Sequence, residues 1–422
     1  MTSKALAAAA GLLLISADAA AISLHEAAAQ ALQRDPRLTA AHRAADGSAA
    51  DVETARAGFR PSVNASVIGG RSRLYSDAPF PVAGPRNPLS WGLVATQPLY
   101  SGGLVSAQIA GARSRLDAAR ETEVATEQQL LFAASSAWLD VKRDRAVVDL
   151  NQRNADTLQQ ALDDSRKRFA AGEATKTDVA QAEARLAEAQ ASLERARATA
   201  AVSAAAFERV VGAAPDDLPG DWPQPAVPAS LADALAVAAA TPAVRAAEAD
   251  ARAARAQIAA EQAGHLPKLS LEGEANDADD STFTYDRQTY WSVQLKATLP
   301  IYAGGAVSSR VSAARAHAEA ADATADDTRR AAQEAIAQAW SLYRAADQVI
   351  AAYQAEVTAS ELALDSVRRE LDVGTRTTLD LLDAQRDLLA ATVNLAGSRH
   401  DRSLAALQLL GATGRLSLDA IP

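Results

Sequence analysis

The strongest constraint on the fold is an internal duplication of the 422-residue chain. QPLYSGG at residues 97–103 matches LPIYAGG at 299–305, and GEATKTD at 172–178 matches GTRTTLD at 374–380. These matching positions are 202 residues apart, and an earlier match between AGFRPSV and AGHLPKL has an offset of 206. Self-similarity at a nearly fixed offset indicates that one structural unit occurs twice along the chain.

The predicted domain organisation follows this duplication. A signal peptide at residues 1–21 precedes a first structural repeat at 22–212, and a proline-rich linker at 213–229 leads to a second structural repeat at 230–416. The linker holds five of the 16 prolines. Because proline interrupts helices and central strands, we expect the linker to separate two units of regular structure.

Residues 1–21 have the pattern of a secretory signal peptide. Lys4 supplies a positive charge, an apolar stretch follows at 5–15, and Ala17-Asp18-Ala19 is a small-x-small cleavage site. The apolar stretch, at about eleven residues, is too short to span a bilayer. The chain contains no cysteine, which excludes disulfide bonds and an acylated cysteine after the signal. We therefore expect an exported protein that is not a lipoprotein.

Alternating apolar and polar residues predict four β-strands, at about residues 61–75, 90–99, 267–282 and 289–300. In the last segment, Val293 and Leu295 alternate with Gln294 and Lys296, as expected for a strand with one apolar and one polar face. Each segment has roughly the 9–11 residues that a tilted membrane strand needs.

Aromatic residues are concentrated around these predicted strands. Ten of the 18 aromatic residues lie within 59–100 and 283–302. Aromatic girdles at a membrane interface would explain the clustering. The alternative interpretation is a soluble hairpin with one buried face.

Two proline-free stretches, 103–172 and 305–374, predict very long helices. At about 1.5 Å per residue, each helix would be about 100 Å long. Apolar residues recur in them at steps of three and four, which indicates coiled-coil packing. These residues are Leu131, Ala134, Trp138, Val141 and Val148 in the first stretch and Ile336, Trp340, Tyr343 and Ile350 in the second. About a quarter of the chain is alanine, which allows close helix approach. An ordinary coiled-coil rod would account for the helices but not for the strands.

The predicted strands are too few to form a membrane structure alone. Four strands cannot close a barrel, and open sheet edges cannot lie in lipid. Two copies of the chain would form an eight-stranded barrel filled by side chains, whereas three would form a twelve-stranded barrel with a lumen. The polar strand faces, with Glu272, Glu274, Gln294 and Lys296, suit a wet lumen. A helical tube continuing such a barrel would be a duct across the periplasm.

The two Gly-x-x-Thr-x-x-Asp motifs are expected to form the turns between each long helix and the helix that returns from it. Glycine can end a helix because it readily adopts a left-handed conformation. A Thr-x-x-Asp pair can then cap the start of the next helix. The expected cap residues are Gly172, Thr175 and Asp178 at the first tip and Gly374, Thr377 and Asp380 at the second.

Composition argues against catalysis and nucleic-acid binding. The five histidines are scattered without metal-ligand spacing, and the chain has no cysteine and no phosphate-binding or hydrolase motif. The net charge is −10, and no block of like charge exceeds a few residues, which disfavours nucleic acid as a partner. We expect no enzyme activity, no structural metal site and no cofactor.

Four segments together carry a resemblance to the TolC-like outer-membrane efflux protein family. They are QPLYSGG, RFAAGEATKTDVAQAEARL, LPIYAGG and VGTRTTLDLLDAQRDLLAA, which occur in the family's order and spacing over nearly the whole mature chain. The last segment is most similar to the branch that serves type I protein secretion. Branches that export drugs or metal ions have similar segments, so proton-driven efflux stays open as the alternative, as does a non-channel periplasmic coiled-coil protein.

The resemblance implies a fold class and a set of partners. The fold is an internally duplicated α+β membrane protein, with four membrane strands and very long coiled-coil helices in each chain. Three chains form a homotrimer with a twelve-stranded β-barrel in outer-membrane lipid, continued by a periplasmic α-helical barrel. The partners are a periplasmic adaptor (membrane fusion) protein and an inner-membrane ABC transporter, or an RND pump in the alternative. The duct is passive.

The resemblance also implies roles for charged residues at the tips. In family members, the residues matching Asp178 and Arg376 hold the mouth of the tube shut, and those matching Asp380 and Asp383 form an acidic ring at its constriction. We therefore expect a gate at Asp178 and Arg376 and a cation-selective ring at the periplasmic mouth at Asp380 and Asp383. Leu371 stands where the best-known member has a tyrosine that supports closure, so that gate bond is not expected.

Overall fold

The computed structural model describes residues 22–74, 84–219, 221–280 and 287–422. The predicted signal peptide lies outside these residues, as do Tyr75 and residues 281–282 at the ends of two predicted strands. The helices are α1 Leu24–Arg34, α2 Pro36–Ala57, α3 Leu104–Ala170, α4 Lys176–Val211, α5 Leu231–Ala236, α6 Pro242–Gln262, α7 Ala306–Asp372 and α8 Thr378–Ala412. The strands are β1 Ser62–Gly69, β2 Ser72–Leu74, β3 Gly84–Arg86, β4 Leu89–Tyr100, β5 Lys268–Asp279 and β6 Arg287–Thr298.

The described residues divide into two compact units, and each unit takes segments from both halves of the sequence. A helical unit contains the described residues up to Pro36, Glu127–Leu235 and Ala335–Pro422. A sheet-containing unit consists of Arg37–Thr126 and Ala236–Glu334. The two longest helices, α3 and α7, have 67 residues each and contribute to both units.

Local sequence signals set several helix boundaries. Ser23 and Glu26 form a capping box at the start of α1. Pro242 is the first residue of α6, a position at which the backbone N–H has no partner within the helix, so proline costs no hydrogen bond there. Gly212 ends α4 in the left-handed region, with φ of 79°, and its carbonyl accepts a 2.9 Å hydrogen bond from Arg34 Nη1. No helix among the described residues is long and apolar enough to cross a membrane.

The main sheet has four antiparallel strands in the order β1-β4-β5-β6. The central pairing of β4 with β5 joins the two repeats, from Leu89 opposite Asp279 to Gln97 opposite Leu271 and beyond. The outer strands of this sheet are β1 and β6. A separate short hairpin, β2 with β3, interrupts the strand predicted at 61–75, because Gly70 N–H donates to the carbonyl of Pro88 and the chain pairs differently from Ser72 onward.

The register of the sheet gives it one apolar and one polar face. Large apolar side chains on one face are at least 40% exposed in the single chain, and a face of this kind needs a partner other than water. They are Val63, Val67, Leu89, Trp91, Leu93, Leu271, Trp291, Val293 and Leu295. On the opposite face, Lys296 Nζ lies 3.2 Å from Glu272 Oε1, and the Tyr290 hydroxyl donates to Glu274 over 2.7 Å. The alternation predicted for Val293–Lys296 places these side chains as expected.

The helical unit contains two antiparallel hairpins, α3 with α4 and α7 with α8, and an apolar cluster lies between the helices of each. The first core contains Leu158 and Leu162 of α3 with Leu186 and Leu193 of α4. The second contains Val357 of α7 with Ala391 and Leu395 of α8.

The predicted apolar stripes on the two long helices differ in burial. Leu131, Ala134, Trp138 and Val141 of α3 are at most 2% exposed, and Trp138 Nε1 donates a 3.0 Å hydrogen bond to the carbonyl of Ile22. On α7, Ile336 is fully buried, but Trp340, Tyr343 and Ile350 are only half-buried. The two repeats share a spacing of apolar residues but not the same contacts within one chain.

The described part of the proline-rich linker lies against the helices. Arg145 of α3 donates to the carbonyl of Asp216 over 3.2 Å, and the Ser403 hydroxyl of α8 donates to the carbonyl of Pro223 over 2.9 Å. Lys142 lies 5.8 Å from the ring centroid of Trp222 and 4.9 Å from that of Trp138. These contacts fix the linker on the helical unit.

Candidate functional site at the helix tips

The first tip is the turn at residues 171–175 between α3 and α4, and the second is the turn at 373–377 between α7 and α8. Gly172 has φ of 77° and Gly374 has φ of 79°, a region that favours glycine because a side chain would clash. At each turn, the next backbone N–H reaches back to a carbonyl of the last helical turn, from Glu173 to Arg168 at 2.8 Å and from Thr375 to Glu370 at 2.9 Å. Each glycine therefore reverses the chain while the end of the helix keeps its hydrogen bonds.

Both returning helices begin with a reciprocal capping box. The Thr175 hydroxyl accepts from Asp178 N over 3.2 Å, and Asp178 Oδ2 accepts from Thr175 N over 2.8 Å. Thr377 and Asp380 make the same bonds at 3.2 and 2.9 Å. The backbone N–H of each threonine, with its hydroxyl, lowers the pKa of the aspartate that it contacts. Both aspartates are thus anionic as well as structural.

Arg376 is held by acidic residues of its own hairpin. Its Nε donates to Glu370 Oε2 over 2.8 Å, and its Nη1 lies 3.9 Å from Asp380 Oδ1. The hydrogen bond to Glu370 raises the pKa of Arg376. Within the described chain, the ion pairs of Arg376 are with these two residues, and Asp178 is not among them. Sequence reasoning missed Glu370, although a spacing of six residues across a glycine turn could have indicated it.

Asp383 is paired with two arginines that the sequence did not single out. Arg185 Nη2 of α4 donates to Asp383 Oδ1 over 2.9 Å, and Arg386 Nη1 lies 3.8 Å from the same oxygen. Asp380 and Asp383 line one open groove of the second hairpin, together with Arg376 and neighbouring residues of α7 and α8. The structure therefore brings Arg376, Asp380 and Asp383 together and leaves Asp178 on the other tip.

Leu371 is buried, with 9% of its surface exposed. It packs at the end of α7, immediately before the second tip. A side chain in this position has no polar group to offer a gate.

An antiparallel sheet with an exposed apolar face, in a chain with two long helical hairpins that end in charged turns, defines the class of outer-membrane efflux and secretion channels. The family model described as "Outer membrane efflux protein" matches residues 27–213 and 236–415, and the chain belongs to this family. The protein is accordingly an outer-membrane channel protein that extends into the periplasm.

Individual relatives agree with this membership. The chain is 32% identical to the outer membrane efflux protein BepC of Brucella suis, over 88% of this chain and 80% of the relative. It is 24% identical to the alkaline protease secretion protein AprF of Pseudomonas aeruginosa, over 92% and 84% of the two chains. A crystal structure of a membrane protein from Pseudomonas aeruginosa has the same fold, with a TM-score of 0.84, 23% identity and 92% coverage of both chains.

Proposed function

We propose that three copies of this chain form the passive exit duct of a type I secretion system. In this proposal the duct docks with a periplasmic adaptor protein and receives its cargo from an inner-membrane ABC transporter. The proposal deepens the family membership, which gives an outer-membrane channel without naming its pump.

The main sheet is the observation that supports a duct most directly. Its outer strands, β1 and β6, pair on one side only within the described residues. Unpaired strand edges are costly in lipid, and pairing β6 of one copy with β1 of the next removes them. Three copies then give twelve strands, which is enough to leave a lumen. The exposed apolar face with Trp291 and Val293 would contact lipid, and the face with Glu272 and Lys296 would contact water.

The periplasmic mouth of the duct would be formed by the tips. In the proposed trimer, Arg376 of one chain also reaches Asp178 of a neighbouring first tip and helps to hold the mouth closed. A guanidinium can bind two carboxylates through different nitrogens, and Arg376 uses Nε for Glu370. Three copies of Asp380 and Asp383 would surround the constriction and favour cations.

Type I secretion is favoured over drug or metal efflux by the second-tip segment and by similarity over nearly the full length to a protein named for protease secretion. Similarity to a relative named as an efflux protein supports the runner-up, an outer-membrane component of a proton-driven RND pump. The two proposals share the duct and differ in the pump.

Reconstitution and genetics test the two levels of the proposal separately. Purified protein in a planar bilayer should form discrete channels, and a preparation that never conducts would remove the duct itself. Deleting the gene should then abolish export of a protein substrate encoded beside an ABC transporter. A deletion strain that secretes normally but becomes sensitive to drugs or metals would move the assignment to efflux.

A further inference from the structure

The two hairpins of one chain are joined close to their tips by an apolar contact. Leu382 belongs to α8, yet it is only 1% exposed and packs within the core of the first hairpin. Its neighbours in that core include Leu158 and Leu162 of α3 and Leu186 of α4. This contact fixes the position of α8 against α4 at one level along the hairpins.

A charged contact adjoins this apolar one. Asp383 follows Leu382 in sequence, and its Oδ1 accepts a 2.9 Å hydrogen bond from Arg185 Nη2. Arg185 Nη1 lies 3.1 Å from Glu188 Oε2 on the same helix, which holds the guanidinium in place. The side chains of Arg185 and Asp383 are 27% and 41% exposed, so the pair is partly screened from water by the junction of the hairpins.

The two acidic residues of the candidate ring therefore differ in their surroundings. Asp380 uses Oδ2 to cap its own helix, and its arginine neighbour, Arg376, is 3.9 Å away. Asp383 is in direct hydrogen-bonded contact with an arginine that comes from the other hairpin. A short charge-assisted bond offsets the charge of a carboxylate more effectively than a cation at a longer distance.

We propose that Arg185 sets the charge that the periplasmic mouth presents to passing ions. Positioned by the first hairpin, it holds Asp383 against α4 and offsets its negative charge, so that cation selectivity depends mainly on Asp380. This inference rests on the proposed function, because it assumes that the second tip lines the conducting path. It assigns to a residue of the first repeat a selectivity role at the mouth.

The reversal potential in a potassium chloride gradient across a planar bilayer tests the inference. Arg185→Gln should shift the reversal potential toward the potassium equilibrium potential, because Asp383 then loses its hydrogen-bonded arginine and keeps only Arg386, at 3.8 Å. Arg185→Lys keeps the charge and should remain close to wild type. Asp383→Asn should cancel the shift in the Arg185→Gln background, which a purely structural role of Arg185 would not produce.

Arg166 provides a matched control. Its Nη2 lies 2.8 Å from Glu183 Oε1 within the first hairpin, and both side chains are about half exposed, at 54% and 49%. Arg166→Gln should leave the reversal potential unchanged, and an equal shift in this variant would overturn the inference.

Two further results have distinct meanings. Wild-type channels that conduct while Arg185→Gln has the wild-type reversal potential would overturn the role of Arg185 and leave the duct intact. Wild-type protein that forms no channel would overturn the proposed function and this inference with it. If Arg185→Gln does not assemble, Asp383→Asn is compared with Asp380→Asn. The loss of cation selectivity should be smaller in Asp383→Asn, and an equal or larger loss would contradict an offset Asp383.

Discussion

Asp380 combines two roles in the proposed duct, and two substitutions separate them. Asp380→Asn removes the charge but keeps a side-chain acceptor for the cap, so block of the channel by trivalent cations should weaken. Thr377→Ala removes the cap without changing charge and should cost about 1 kcal/mol of stability, with block unaltered. Current block in planar bilayers and thermal unfolding measure the two effects. A block that weakens equally in both variants would show that the ring acts only through the structure of the tip.

Arg376→Ala should raise single-channel conductance in the absence of a pump and sensitise cells to large antibiotics. The physical reason is the loss of the guanidinium that links two tips across chains in the proposed closed mouth. Asp178→Ala should act in the same direction, and the double variant should add little to either. Single-channel recordings and antibiotic susceptibility are the measurements.

Glu370→Gln is the control for this gate, because Glu370 is the partner that Arg376 has within its own chain. Conductance near wild type in Glu370→Gln is expected if the bond between chains matters. If Glu370→Gln opens the channel as far as Arg376→Ala does, the closing contact lies within the second hairpin and Asp178 is not part of it.

His400 should make the stability of the helical unit depend on pH. This side chain of α8 is only 3% exposed. Its Nδ1 lies 2.9 Å from Asp401 Oδ1, and its Nε2 lies 3.0 Å from Asp140 Oδ1 of α3. The contact with Asp140 is an ion pair without hydrogen-bond geometry. Burial alone lowers the pKa of His400, but the carboxylates of Asp140 and Asp401 outweigh burial and nearby Arg143, and the pKa lies above its ordinary value of 6.5.

The pKa of His400 is higher in the folded protein than in the unfolded chain. The stability that His400 contributes is therefore fully present below its ordinary pKa and is lost as the pH rises through its folded-state pKa. Burial raises the pKa of Asp140, but His400 and Arg143 outweigh burial, and the pKa lies below its ordinary value. The stability that Asp140 contributes is therefore lost only as the pH falls through this lowered pKa. His400→Gln should therefore lower Tm more at about pH 5.5 than at about pH 9. A Tm loss for His400→Gln that is equal at both pH values would contradict the ion pair.

At the scale of elements, the sequence predicts best what depends on local pattern. Period-two alternation determines which side chains share a face, so Val293 and Leu295 could be separated from Gln294 and Lys296 before the sheet was known. The absence of proline likewise predicts the length of α3 and α7, and the glycine turns predict where these helices end. The hairpin of β2 and β3 was missed because its strands have three residues each, too few for a pattern.

The charged partners at the tips were harder to predict. The pair of Arg185 with Asp383 depends on how α8 rests on α4, and that position is set by the burial of Leu382 between helices distant in sequence. No spacing along the chain encodes such a contact. The capping threonines and aspartates could be predicted because their bonds span only three residues.

Single cysteines in the cysteine-free chain test the two faces of the sheet. A membrane-restricted apolar label should react at Val293→Cys and Leu295→Cys, because these side chains share the exposed apolar face. A water-soluble reagent should react at Gln294→Cys and Lys296→Cys. The labelled fraction of outer-membrane protein in intact vesicles is the measurement. The reverse pattern would mean that the face with Glu272 contacts lipid, since a shift of one residue exchanges the two faces.

At the scale of the whole molecule, the proposed closure of the sheet predicts a trimer that resists detergent. Unheated samples from the outer-membrane fraction should migrate as a trimer in SDS gels, and boiled samples as a single chain of at most 43.8 kDa. Chemical crosslinking should give a ladder that ends at three copies. Recovery of the chain in the soluble periplasmic fraction would instead support a coiled-coil protein that forms no channel.

The duplication has a genetic consequence at the junction of the hairpins. Arg185 of the first repeat occupies the position that Asp387 occupies in the second, and Gln181 occupies that of Asp383, since the offset here is the same 202 residues. Six identical half-length chains around an axis would repeat one contact at all six junctions, so the pair of Arg185 with Asp383 could not differ from its counterpart, which here is Asp387 with Gln181. Joining two copies in one gene lowers the symmetry from sixfold to threefold. Alternate junctions can then change independently, so that an ion pair can form at one junction without forming at the next.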